Sequence, residues 1–361
     1  MKILFVTLEQ SARENLKVIL KNQFFQNNID KFYTYGMTDE NLPFKDLTNI
    51  KIKSLMGFVE IIKNLPYLFS LRNSLNLVDR KNNFSHIFFI DSFDFSKFYL
   101  NKFRKKNIKY CQFIGPSVFI WQKNKAKFIN KYFDHFFSIF EIERKYYDKD
   151  KYSYIGHPLL NNIIVDHSEK YPIKNIGIFL GSRYQEIIYN IPIIIDLIKE
   201  LKKLKNFNFL FYVTKEFEQL IKKNFDNEYF KFYINDEKYY DNLSKIDFAF
   251  ACSGTVHLEL SFTHIPHFIF YKANFFNYLI FKMFVKSNYL SLVNIFNKKP
   301  CIKEFIQSNF KHNILMNEFE NLYQNKDLFN DYTNLMIESL KESNIQKINS
   351  NTIIDYLKMS S

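Results

Sequence analysis

Short, unbroken runs of β-prone apolar residues recur along this 361-residue chain, each followed by a longer segment with helical spacing. Lys2–Leu8, His86–Ile90, Lys109–Ile114 and Tyr152–Ile155 are such runs in the first half. Asn175–Leu180, Phe207–Val213, Lys231–Ile234, Asp247–Ala251 and His267–Tyr271 are their counterparts in the second. Amphipathic segments such as Gln185–Lys205 and Phe217–Phe225 separate them. A strand that is apolar on every residue has both faces covered, and helices alternating with parallel strands supply that cover. The pattern predicts an α/β protein of two doubly wound, Rossmann-like parallel-sheet domains facing a cleft. A length of 361 residues exceeds most single domains and agrees. The domains fall at 1–165 and 172–335, on either side of the polar, proline-bearing stretch Asp166–Pro172. From about Lys303 the chain reads as helices only. Residues 336–361 form a C-terminal helical segment that packs on the first domain or on a partner chain.

Charge and cysteine usage narrow the function. The net charge is +13, from 50 Lys+Arg against 37 Asp+Glu, which favours anionic partners. The basic residues are scattered and no nucleic-acid-binding motif is present, so nucleic acid is not expected as a partner. Cys111, Cys252 and Cys301 are far apart and odd in number, as in a reducing cytoplasm without a disulfide framework. The opening MKILFVTLEQSAREN reads as a first strand rather than a signal peptide. No stretch reaches the roughly 18 uncharged apolar residues of a spanning helix. Two segments suit either a core or a membrane interface: Gly57–Leu75, and the aromatic Phe275–Lys286.

Four of only seven glycines follow directly on predicted strands: Gly115, Gly156, Gly181 and Gly254. Ligands bind outside the carboxyl ends of parallel strands, where a glycine permits unusual backbone angles or close approach. In Gly181-Ser182-Arg183-Tyr184-Gln185-Glu186, Ser182 caps the next helix, whose free N–H groups suit a phosphate. Arg183 adds a charged contact, and Glu186 lies on the same face. In Ser253-Gly254-Thr255, backbone amides at the turn could hold a pyrophosphate. Glu259, one helical turn on from Thr255, is placed to accept from a ribose diol. In Ile90-Asp91-Ser92-Phe93-Asp94-Phe95, a carboxylate at the strand end could serve as a general base, with Asp91 favoured as a helix cap; Glu9 follows another strand of the same half and could face the same cleft. His257, Glu259, His264 and His267 cluster without zinc spacing, so no metal site is expected. GxSxG, Walker A and GxGxxG are all missing.

Together these motifs resemble the lipid-A-disaccharide synthase family, inverting glycosyltransferases of GT-B architecture. The resemblance runs from Met56-Gly57-Phe58-Val59-Glu60 to about Gln307. It takes in IDSFDF, Pro116-Ser117-Val118-Phe119-Ile120-Trp121, Ile155-Gly156-His157-Pro158-Leu159, GSRYQEI, SGTVHLE and Tyr289–Asn294. It implies transfer of 2,3-diacylglucosamine from UDP to 2,3-diacylglucosamine 1-phosphate, giving a β-1,6 disaccharide and UDP. By matching position, Asp94 deprotonates the acceptor, Glu259 reads the ribose, and Gly181, Ser182, Arg183, Glu186, Ser253, Gly254, Thr255 and Asn294 surround the UDP-sugar. Met56, Gly57, Phe58, Ile61 and Leu65, with Trp121, fall to the acceptor and membrane side. The resemblance further implies no cofactor, a homodimer, and a cytoplasmic protein peripheral on the anionic inner face of the cytoplasmic membrane. The family's N-terminal GE-x-SGD stands here as Leu8-Glu9-Gln10-Ser11-Ala12-Arg13, retaining only the glutamate and serine. The alternatives are another GT-B enzyme acting on UDP-N-acetylglucosamine, and a non-catalytic membrane protein on the same fold.

Overall fold

The computed structural model describes residues 1–37, 43–52, 64–120, 124–161, 163, 169–225, 230–234, 239–272 and 287–360. The chain divides into two compact units. One combines Met1–Asn161 with Ile345–Ser361, and the other is Asn162–Asn344. The stretches Met56–Lys63, Trp121 and Phe275–Lys286 lie wholly or largely outside the described residues.

The N-terminal unit holds β1 (Ile3–Thr7), β2 (Phe32–Gly36), β3 (Lys45–Asp46), β4 (His86–Ile90), β5 (Lys109–Phe113), β6 (His135–Ser138) and β7 (Tyr152–Tyr154). Their order is β3-β2-β1-β4-β5-β6-β7, and every pairing is parallel. The residues of β1 and β4 are buried without exception, as their apolar runs demand. The sheet grows outward from β1 through β2 and β3, then restarts on β1's other side with β4. That reversal makes the carboxyl ends of β1 and β4 the place where a crevice opens.

The C-terminal unit repeats the plan with β8 (Asn175–Phe179), β9 (Asn208–Val213), β10 (Phe230–Ile234), β11 (Phe248–Cys252), β12 (His267–Tyr271) and β13 (Glu304–Ile306). The order is β10-β9-β8-β11-β12-β13, again parallel throughout. Its reversal falls between β8 and β11. Phenylalanines fill the core in edge-on contacts, such as Phe248 with Phe268 at 4.9 Å between ring centroids.

The helix-only reading beyond Lys303 is corrected by β13, whose three residues are too few for a periodic signal. Strands β2, β3 and β6 were likewise silent in the sequence, being short or mixed in polarity. The last helix, Asn351–Met359, packs on the N-terminal unit: Tyr356 lies against His135 at 4.5 Å and His86 at 6.1 Å between ring centroids. Gly156 has φ +86°, and any side chain there would overlap the Lys347 carbonyl of this returning segment. Among the described residues, no helix is long and apolar enough to cross a membrane.

Candidate active site

A pocket of about 330 Å³ opens at the β8/β11 reversal of the C-terminal unit. It brings together Gly181, Ser182, Arg183 and Glu186 from beyond β8, and Ser253, Gly254, Thr255 and Glu259 from beyond β11. Gly181 takes φ +108°, and a Cβ there would sit 2.8 Å from Glu186 Oε2. Arg183 Nη1 donates to Glu186 Oε1 at 2.6 Å, holding an exposed guanidinium against a buried carboxylate. The helix Tyr184–Leu204 begins one residue later than expected. Arg183 takes the cap position without a side-chain bond, so Ser182 does not cap the helix and its hydroxyl is left to the pocket. Gly254 has an ordinary φ, and a Cβ added there would meet nothing within 4 Å. What it contributes is bare, accessible backbone rather than a left-handed turn.

Glu259 Oε2 accepts a 2.5 Å hydrogen bond from the Tyr239 hydroxyl. Burial raises the Glu259 carboxyl above its usual range, and the Tyr239 bond opposes that shift. The phenol's own pKa is pushed well up by burial and by the Glu259 charge, so it stays a donor. Thr214, following β9, also lines the pocket, and its hydroxyl oxygen is buried without a protein partner. Tyr239 and Thr214 carried no signal in the sequence beyond, for Thr214, its place at a strand end.

A second pocket, of about 680 Å³, opens at the β1/β4 reversal of the N-terminal unit. Glu9, Asp91, Ser92, Asp94 and Lys125 supply its polar wall; Leu8, Leu65, Leu68, Leu71, Phe93, Phe95 and Phe98 supply an apolar one. Asp91 and Ser92 have φ of 56° and 41°, and Ile114, at the end of the neighbouring strand, 57°. Such angles cost on the order of 1–3 kcal/mol each in side-chain-bearing residues and cluster where a site over-determines the backbone. Asp91 is no helix cap. Its Oδ1 accepts from Ser92 N at 3.1 Å and its Oδ2 from Ser11 Oγ at 3.2 Å. Ser92 Oγ in turn donates to Glu9 Oε1 at 3.3 Å. The two retained residues of the N-terminal motif, Glu9 and Ser11, thus both bind the turn after β4. Burial raises the carboxyl groups of Glu9 and Asp91, and for Glu9 the Asp91 charge adds to it. Asp94 stands at the rim with its side chain 76% exposed, held by Lys125. Lys125 carried no sequence signal.

Of the expected site residues among the described residues, Asn294 is the one that lines neither pocket. It is fully buried. Its Nδ2 donates to the Ile302 carbonyl and to Glu304 Oε1, each at 2.7 Å, and its Oδ1 accepts from Ile302 N at 2.8 Å. Its amide is spent on tying its own helix, Leu292–Asn297, to β13 and the residues before it. Leu65 lines the N-terminal pocket; Met56, Gly57, Phe58, Ile61 and Trp121 lie outside the described residues.

Two parallel α/β units, each with a site at its strand reversal, define a protein of the GT-B fold class. Solved structures share this fold over nearly the whole chain. UDP-GlcNAc 2-epimerase from Neisseria meningitidis bound to UDP-GlcNAc superposes with a TM-score of 0.63 at 14% identity, covering 99% of this chain and 100% of that one. MurG from Acinetobacter baumannii superposes with a TM-score of 0.56 at 9% identity, with the same coverage. The family described as lipid-A-disaccharide synthetase matches residues 3–354. Lipid-A-disaccharide synthase of Campylobacter jejuni strain RM1221 is 32% identical over 352 residues, covering 90% of this chain and 92% of its own. The Aquifex aeolicus enzyme of the same name is 29% identical over 338 residues, covering 91% and 92%. The chain belongs to the lipid-A-disaccharide synthase family.

Proposed function

We propose that the protein joins UDP-2,3-diacylglucosamine to 2,3-diacylglucosamine 1-phosphate with inversion at the anomeric carbon. The observation that carries this is the chemistry of the two pockets. One offers bare backbone, a guanidinium and a held carboxylate, as a nucleoside diphosphate needs. The other sets an exposed carboxylate beside an apolar wall, as an acylated sugar needs.

In the C-terminal pocket, Glu259 accepts from the ribose hydroxyls while Arg183, Gly254 and Thr255 meet the diphosphate. In the N-terminal pocket, Asp94 takes the proton of the acceptor's 6-hydroxyl. The freed oxygen pair attacks the anomeric carbon from the face opposite UDP. The bond from that carbon to the diphosphate oxygen breaks, and its electron pair leaves with UDP. Arg183 and the amides opening Tyr184–Leu204 stabilise the departing charge, without a metal or other cofactor.

Apolar side chains along the helix Leu65–Asn82 support a peripheral place on the anionic inner face of the cytoplasmic membrane. Leu65, Phe69 and Leu77 are 44%, 45% and 51% exposed, and the net charge is +13. Exposed Leu328 and Leu335, seven apart on Lys326–Glu342, support self-association as a homodimer.

The test is to incubate the protein with both acylated sugars and measure UDP release. Turnover is expected, and its absence overturns the reading. Turnover of UDP-N-acetylglucosamine instead would point to a different GT-B reaction.

A further inference from the structure

We propose that Lys125 binds the phosphate of the acceptor and, in moving to it, releases Asp94 to act as the base. This rests on the reading given under Proposed function. Lys125 Nζ lies 3.0 Å from one carboxylate oxygen of Asp94 and 3.1 Å from the other. Its ammonium also stands 5.3 Å from the centroid of the Phe93 ring. It is the only cation among the described residues lining this pocket, which contains the carboxyl groups of Glu9, Asp91 and Asp94.

A phosphate monoester carries between one and two negative charges near neutral pH. On entering a pocket with three carboxyl groups, it has a single described ammonium to meet. That ammonium is the inner member of its ion pair: the Lys125 side chain is 24% exposed against 76% for Asp94.

With the ammonium across both oxygens, Asp94 is engaged by Lys125 rather than turned to the acceptor's hydroxyl. A dianion draws the ammonium more strongly than a monoanion at the same distance. Lysine suits the exchange, being a compact charge on a flexible four-carbon stem. The pair therefore works as a lock opened by the acceptor's own phosphate. An acceptor lacking that group leaves Asp94 engaged, so the same contact sets both affinity and reactivity.

The experiment compares 2,3-diacylglucosamine 1-phosphate with 2,3-diacylglucosamine as acceptors for the full-length protein, with UDP affinity measured in parallel. Wild type should prefer the phosphorylated acceptor by about tenfold or more in kcat/KM, the scale of one charge-assisted contact. Lys125→Ala should collapse that preference, chiefly through KM for the phosphorylated acceptor. Its kcat on the unphosphorylated one should rise, because nothing then masks Asp94. Lys125→Arg should keep the preference, and UDP affinity should be unchanged throughout. An intact preference in Lys125→Ala, or an equal loss on both acceptors, overturns the proposal. Weakened UDP binding does so too, since the phosphate met by Lys125 would then be the donor's. Should Lys125→Ala fail to fold by circular dichroism, Lys125→Gln takes its place. If wild type turns over neither acceptor, the parent reading fails and takes this one with it; turnover with unaltered preference removes Lys125 alone.

Discussion

The Tyr239 hydroxyl donates to Glu259 Oε2 at 2.5 Å, fixing a half-buried carboxylate at the mouth of the C-terminal pocket. A carboxylate oriented this way leaves its other oxygen for a ligand hydroxyl. Glu259→Ala should weaken UDP binding by about 1–3 kcal/mol, the cost of lost buried hydrogen bonds. Tyr239→Phe should cost about 1 kcal/mol, by loosening the carboxylate rather than removing it. Calorimetric titration with UDP measures both, and unaltered affinity in Glu259→Ala would remove that residue from the site.

Asp94→Asn keeps the shape of the rim residue and removes its basicity. Turnover should drop by at least about 100-fold, the scale of general base catalysis, while UDP affinity stays at the wild-type value. A collapse of UDP affinity would show that Asp94 serves the donor instead.

Gly181→Ala puts a methyl group 2.8 Å from Glu186 Oε2 at a residue with φ +108°. The expected cost is about 1–2 kcal/mol of stability from the left-handed backbone alone. Displacing Glu186 also frees Arg183, so protection of the protein by UDP against thermal unfolding should shrink. A variant that unfolds at the wild-type temperature and is protected equally well would contradict this account of the turn.

The terminal helix rests on two buried imidazoles. Burial lowers His86 and His135 from the usual 6.5 to about 4. In the unfolded chain both take up protons near pH 6.5, whereas in the folded one they resist until about 4. Their neutral, packed state therefore contributes stability that is complete above pH 6.5 and is lost as pH falls from 6.5 toward 4. Thermal unfolding should move to lower temperature across that window, and His86→Gln with His135→Gln should flatten the acid limb. An acid limb of unchanged steepness in the double variant would place the transition elsewhere.

The motifs at strand ends were legible because the physics there is local. A buried strand announces itself in its own residues, and a glycine or carboxylate directly after it is carried to the ligand side by the parallel topology. Thus Gly181, Gly254, Glu259, Glu9 and Asp94 all reached the pockets where the sequence put them. Asn294 shows the limit. In a short helix, an asparagine that meets a ligand and one that ties backbone together look the same, and only Ile302 and Glu304, at and before β13, settle the matter. Asp91 and Ser182 failed as caps for a related reason: the helix start shifted, or a distant hydroxyl, that of Ser11, was the better partner.

What the amino-acid sequence determined by itself is the two-sheet α/β plan, the strand-end sites and the family, because period, burial and motif order are properties of contiguous residues. What the tertiary structure alone decided is the company those residues keep. Lys125 reaches Asp94 across 31 positions and Tyr239 reaches Glu259 across 20. Neither pairing leaves a trace in local pattern, because a hydrogen bond between two helices depends on where the sheet order brings those helices together.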